Sequence, residues 1–236
     1  MKKRLAKFGR PQNTDYATKE AFNSLRTNLK FCGDEIRVVA LTSCTENEGK
    51  STTALNLAFS FTEDGKKVLL IDADLRKSVF IGANKLRADG QIMGLSHYLS
   101  GQCLLEDVVY QTDVKGLDLV VAGPTAPNPT ELLGGERFEA LIEKAREGYD
   151  MVIIDSPPLG MVIDTVVMAH CCDGAILVIE SDMISYRYAM EVKKQLEFAD
   201  CRILGTVLNK VDMGGGKYYK GYYKGYYKKG EYGAYK

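Results

Sequence analysis

Lys50 follows Gly49 and precedes Ser51 and Thr52, between the apolar run Ile36 to Leu41 and a stretch of helical spacing from about Lys50 to Asp64. Gly-Lys-Ser between a strand and a helix is the setting of a phosphate-binding loop. The first-turn amides of such a helix, and its dipole, favour an anion there. Lys50 would reach the β and γ phosphates of ATP, and Ser51 would ligate Mg²⁺. Thr45, Glu46, Asn47 and Glu48 complete the loop, and Thr52 adds a second hydroxyl in the helix's first turn. The usual first glycine of this loop falls five residues before Gly49, where Cys44 stands. That departure would tighten or reshape the loop's opening.

Three carboxylates belong to the same reading. Asp155 ends the apolar run Val152-Ile153-Ile154, and Asp72 and Asp74 follow the run Val68 to Ile71. Residues two apart on an extended chain point the same way, so Asp72 and Asp74 could face one metal site, with Asp155 holding Mg²⁺ directly or through water. The metal set is Ser51, Asp72 and Asp155. An aspartate at a strand end also caps turns, which is the plainer reading for any one of them. Asp72 or Asp74 is the candidate to orient or deprotonate an acceptor hydroxyl. Arg76 could sense phosphate, brace a second subunit or form a surface salt bridge. Asn209 follows the last apolar run and could read the nucleotide base or cap a loop.

The acceptor is suggested by the C-terminal end. Lys217 to Lys236 contains eight tyrosines and six lysines in three near-copies of Tyr-Tyr-Lys-Gly. No aliphatic residue larger than Ala234 occurs there. Such a segment cannot bury enough apolar surface to offset its ordering entropy, so it is expected to be a mobile strip of phenols. Tyr218, Tyr219, Tyr222, Tyr223, Tyr226, Tyr227, Tyr232 and Tyr235 are the candidate phosphoacceptors. An adhesive low-complexity segment and a stacking surface for single-stranded nucleic acid are the other readings of the same composition.

Overall charge is balanced, with 31 basic and 31 acidic residues. The stretch 217–236 carries six Lys and one Glu, or +5, leaving 25 basic against 30 acidic residues, or −5, on the remainder. A basic tail on an acidic body could dock on its own body or on a second copy. Nothing resembles a duplex-DNA-binding face, and no nucleic acid partner is expected. The six cysteines include no Cys-x-x-Cys pair, and His97 and His170 are the only histidines. A zinc site is not expected, and reduced thiols fit the cytosol. No apolar run approaches the ~20 residues that span a bilayer. The basic start Met1-Lys2-Lys3-Arg4 has no hydrophobic region after it and is not a signal peptide, so membrane association would need a partner.

Positioning these residues requires alternating elements. Thr14 or Asp15 can cap a helix to about Lys30 with Phe22, Leu25 and Leu29 on one face. Strands are expected over 36–41, 68–71, 117–121, 151–154, 175–179 and 203–208. Further helices are expected over 50–64, 136–147 and 185–198, with a Pro-rich loop at 122–129 and irregular chain over 77–93. Apolar strands separated by helices indicate a mostly parallel sheet with helices on both faces. Ligands of such sheets bind at the edge where the strands end, so the loop, Asp72, Asp74, Asp155 and Asn209 should converge. The expected class is a P-loop NTPase-like α/β fold with a disordered tyrosine-rich tail. The eukaryotic protein-kinase motifs are missing, with no His-Arg-Asp and no Asp-Phe-Gly.

Thr42-Ser43 through Thr52, Val68 to Lys77, Gly123-Pro124 to Leu132, and Val152 to Pro158 together resemble the bacterial tyrosine kinases (BY-kinases). The likeness is to the cytoplasmic CpsD/CapB-like kinases of capsule and exopolysaccharide operons, over roughly residues 14–211 and into the tail. The resemblance implies ATP- and Mg²⁺-dependent autophosphorylation of tail tyrosines, with Lys50, Asp72, Asp74 and Asp155 at catalytic positions. It also implies a transmembrane polysaccharide co-polymerase-type activator that recruits the chain to the inner face of the membrane, and a cognate protein-tyrosine phosphatase. The family assembles rings through a Glu-x-x-Arg-x-x-Arg helix motif. Glu20 and Arg26 match it, and Asn23 stands where the first Arg would be. The expected division is a flexible N-terminus over 1–13, the kinase domain over 14–211 and the acceptor tail over 212–236. A MinD/ParA-like ATPase switch is the rival reading, but Thr45 stands where those proteins carry a lysine, and they lack a tyrosine tail. A non-enzymatic nucleotide-gated interaction protein is the third.

Overall fold

A computed structural model describes residues 4–9, 15–88 and 90–211. The proposed acceptor tail therefore lies outside the described residues. Among those described, the strands are β1 (Arg4–Lys7), β2 (Val38–Ser43), β3 (Val68–Asp72), β4 (Arg87–Ala88), β5 (Val109–Thr112), β6 (Leu117–Val120), β7 (Met151–Asp155), β8 (Gly174–Glu180) and β9 (Ile203–Asn209). The helices are α1 (Tyr16–Phe31), α2 (Lys50–Glu63), α3 (Phe80–Ala83), α4 (Leu95–Leu99), α5 (Pro129–Leu133), α6 (Glu136–Gly148), α7 (Asp164–Met168) and α8 (Tyr186–Phe198).

The strands form one sheet in the order β4-β1-β5-β6-β3-β7-β2-β8-β9. From β6 to β9 every neighbouring pair is parallel. Antiparallel pairs occur at the other end, between β5 and β6 and between β1 and β4. Successive side chains of a strand point to opposite faces, and β2 shows what that does here. Val39 and Leu41 join the core beneath α1 and α2, whereas Val38 packs with Leu141 and Ile142 of α6 and Ala40 with Val192 and Leu196 of α8. Helices thus cover both faces, and the uninterrupted apolar runs follow from burial on both sides.

Local signals account for the helix ends. The Asp15 side chain accepts from the Thr18 amide at 2.9 Å and starts α1. Gly65, at φ +79°, follows α2, where a left-handed residue ends a helix without a Cβ penalty. Phe22, Leu25 and Leu29 of α1 face the core as their spacing predicts.

Two sequence expectations are corrected. The stretch 1–13, expected to be flexible, contains β1, whose Ala6 is 1 % exposed and whose residues pair with β4 and β5. A four-residue strand with a partner a hundred positions away leaves no periodic signal to read. The stretch 77–93, expected to be irregular, contains α3 and β4, with Phe80 in the core. Likewise α4 and β5 have no counterpart among the expected elements. No helix of the described residues is long and apolar enough to cross a membrane.

One ion pair, between an exposed Arg76 and a buried Asp164, ties the loop after β3 to the helices beside it. Arg76 donates from Nε and Nη2 to the two oxygens of Asp164, at 2.7 and 2.8 Å, and Thr130 of α5 donates to Oδ1 at 2.7 Å. The Asp164 side chain is fully buried at the start of α7. Of the roles open to Arg76, the intrachain salt bridge is the one seen. Burial works to raise the Asp164 carboxyl, but the hydrogen bonds from Arg76 and Thr130 outweigh it and hold it below the usual range. A depressed carboxylate contributes stability above its unfolded value of ~3.9 and loses it as pH falls through the folded value. Asp164→Asn should therefore destabilise the chain at pH 7 by about 2 kcal/mol. In thermal melts from pH 7 down to pH 2, the gap between variant and wild type should close at the acid end.

Candidate active site

The ends of β2, β3 and β7 open on a cleft of about 700 Å³, lined by the loop 45–52 and by Asp72, Asp74, Asp155 and Lys210. That volume suits a nucleotide-sized ligand. The parallel register places Asp72 and Asp155 side by side, as the last paired residues of β3 and β7. β2 leads into the loop on the other side of β7.

The loop ends on Gly49, in the left-handed region at φ +88°, as the N-cap of α2. A Cβ there would come within 2.0 Å of the Asn209 amide nitrogen. Glycine is thus required by both backbone and space. Asn47, at φ +65°, is the other left-handed residue of the loop. Cys44 is fully buried and needs no glycine. Burial, with Glu48 nearby, pushes its thiol up to about 12.

Lys50 Nζ lies 3.1 Å from Asp155 Oδ1 and 3.3 Å from Ser51 Oγ. Burial works against the ammonium, but Asp155, Asp74 and Asp72 outweigh it and raise its pKa. Asp72 is 1 % exposed; burial and the neighbouring Asp155 charge push its carboxyl up, against a short hydrogen bond from Ser78 Oγ. Asp155 is raised chiefly by burial as well, with Lys50 opposing. Two buried carboxylates side by side favour a cation between them. Asp74 is half-buried, and its Oδ1 accepts from the Arg76 and Lys77 amides at 3.2 and 2.9 Å. It therefore caps the turn and lines the cleft at once.

Among the described residues no three His, Cys, Asp or Glu side chains form a self-sufficient metal cage. Two carboxylates beside the Ser51 hydroxyl suit Mg²⁺, which binds through one or two carboxylates plus phosphate and water. The donor set Ser51, Asp72 and Asp155 fits that ion.

Other sequence candidates are placed differently. The Asn209 amide donates to the Glu48 carbonyl at 2.8 Å, so of its two readings loop capping is the one seen. Glu48 turns its carboxylate away from the phosphate side. Oε1 accepts from the Thr45 amide and hydroxyl, and Oε2 from the Glu180 amide at 3.0 Å. Arg26, expected at an intersubunit surface, turns inward to the Ser60 carbonyl and to Ser60 Oγ at 3.0 Å. Glu20 accepts from Asn23 Nδ2 at 3.0 Å, and Asn23 Oδ1 accepts from Ser60 Oγ at 3.1 Å. The sequence reading gave Asp164, Ser78 and Lys210 no role of their own; Asp164 and Lys210 meet partners far along the chain, and Ser78 meets Asp72 across the turn that follows β3.

An AAA-domain family model matches residues 36–200. The tyrosine-protein kinase CpsD of Streptococcus agalactiae serotype III is 45% identical over 195 residues, covering 83% of this chain and 83% of that protein. The putative tyrosine-protein kinase EpsB of Ralstonia solanacearum is 35% identical over 91% of this chain but only 28% of its own length. Among solved structures, the kinase domain of the Escherichia coli tyrosine kinase ETK superposes with a TM-score of 0.79 at 30% identity, over 88% of this chain and 84% of that one. This chain's phosphate-type loop, strand-end carboxylates and sheet point the same way as these likenesses: the chain belongs to the tyrosine-protein kinases of bacteria.

Proposed function

We propose that this kinase transfers the γ-phosphoryl group of ATP to tyrosines of its own C-terminal cluster, and that it acts in capsular or exopolysaccharide synthesis and export. The observation that carries the reading is Lys50, buried among Asp155, Asp72 and Asp74 at the base of a phosphate loop. In this reading Lys50 leaves Asp155 for the transferring phosphate, where its charge offsets what develops in the transition state. Ser51, Asp72 and Asp155 would hold Mg²⁺, which would neutralise phosphate charge. Asp74, at the cleft surface, orients the phenol. The phenolic oxygen forms its bond to phosphorus as the bond to ADP breaks, and the phenolic proton passes to a carboxylate.

The rest of the reading concerns partners. A transmembrane polysaccharide co-polymerase-type activator would recruit the chain to the inner face of the cell membrane. In EpsB the matching region is only 28% of a longer protein, which is consistent with a function split between two chains here. A protein-tyrosine phosphatase would reset the tail. Self-association through α1 belongs to the same proposal, and Arg26 would have to exchange Ser60 and Asp64 for a neighbour. A MinD/ParA-like switch is disfavoured by the 45% identity to CpsD and by the tyrosine cluster.

Lys50→Met should lower phosphotyrosine formation with Mg-ATP by at least about 100-fold while the fold persists. Mass spectrometry and circular dichroism check it, and wild-type labelling in a folded variant would exclude this loop. Asp155→Asn should lower turnover and also weaken Mg-ADP binding. The acceptor is expected to be a neighbour's tail. Mixing Lys50→Met protein with an active chain lacking 217–236 should phosphorylate the Lys50→Met tail. An unmodified tail there, while the full-length chain labels itself, would exclude the trans route.

A further inference from the structure

We propose that Lys210 is a positioning residue of the phosphate loop, aiming the loop's amides at the nucleotide; this rests on reading the cleft as a nucleotide site. Lys210 Nζ donates to the Asn47 carbonyl at 2.6 Å and to Glu180 Oε2 at 2.8 Å. Asn209 Nδ2 donates to the next carbonyl, that of Glu48, at 2.8 Å. Two successive carbonyls of the loop are thus held by two successive side chains at the end of β9.

The consequence lies on the other side of those peptides. No peptide bond here is cis. In a planar trans peptide the N–H points opposite to the C=O. Holding the Asn47 and Glu48 carbonyls toward β9 turns the amides of Glu48 and Gly49 away from it. Successive amides presented from a chain that passes through the left-handed region make an anion-binding nest, and Asn47 and Gly49 both occupy that region.

An acidic loop needs such a brace. Glu46 and Glu48 add two carboxylates to the loop; Lys77 pairs with Glu46, and Glu48 is 2 % exposed. Its carboxylate is engaged by Thr45 and by the Glu180 amide. Glu180 in turn holds Lys210, so β8 and β9 grip the loop together. Lys210 is itself left-handed, at φ +54°, as is Asp182 after β8, at φ +61°. Backbone held in this sparsely populated region clusters where function over-determines it.

The test is calorimetric titration of the full-length chain with Mg-ADP, paired with steady-state kinetics in ATP. Lys210→Met should weaken ADP about five- to tenfold, the loss of one partly solvent-exposed charge-assisted hydrogen bond. KM for ATP should rise by the same factor with kcat unchanged. Lys210→Arg, which keeps the charge and reach, should stay within about twofold of wild type. Arg202→Met removes the Arg202–Glu35 pair at the other end of β9 and should leave ADP affinity unchanged. Wild-type ADP affinity in Lys210→Met would overturn the proposal, as would an equal loss in Arg202→Met. Absence of ADP binding by the wild-type chain would instead overturn the nucleotide reading of the cleft, and this proposal with it.

Discussion

The structure depends on one buried ammonium. Lys50 sits at the junction of three strands with 10 % of its side chain exposed, facing an Asp155 side chain that is 1 % exposed. Taking either charge out of water alone would be costly, so each is tolerable only because the other is present. Such a pair must be positioned by rigid elements. The parallel register of β3, β7 and β2 supplies this, with Asp72 paired to Asp155 and Leu41 paired to Asp155 on the other side. The apolar strands therefore serve as a fixed frame for one ammonium and three carboxyl groups.

That imbalance makes the cleft receptive. With Asp72, Asp74 and Asp155 around one Lys50, the site has more carboxyl groups than cations, and burial resists ionising all of them, pushing Asp72 and Asp155 up. A divalent cation would relieve this, and polyphosphate would then give the cation and Lys50 further partners. In the proposed reading a nucleotide phosphate and its metal would complete an arrangement that is under-compensated alone. Arg76 belongs to the surrounding frame, since Asp164 engages it through two hydrogen bonds.

The strands of the parallel half could be read from composition because each is buried on both faces and spells a continuous apolar run. Val68 to Ile71 and Met151 to Ile154 are examples, and the aspartates that end them stood out for that reason. β1 could not be read. Arg-Leu-Ala-Lys has no distinguishing pattern, and its place beside β5 is decided by contacts more than a hundred residues away. The same distinction holds in the site. Gly49, Lys50 and Ser51 are recognisable because loop chemistry demands those types in that order. Asp164, Glu48 and Lys210 matter through tertiary hydrogen bonds, to which sequence spacing is blind. Arg26 is the converse case: it fits a helix-surface motif by spacing, yet its guanidinium lies against Ser60.

Cys44 has a pharmacological consequence. A thiol at the mouth of a nucleotide loop would ordinarily invite electrophilic drugs and oxidants. Here the side chain is sealed from solvent, and burial together with the Glu48 charge pushes the thiol up, which disfavours the thiolate. Since the thiolate is the nucleophile, warheads that alkylate cysteine will find no target in this loop. The same sealing keeps peroxide from reaching this thiol.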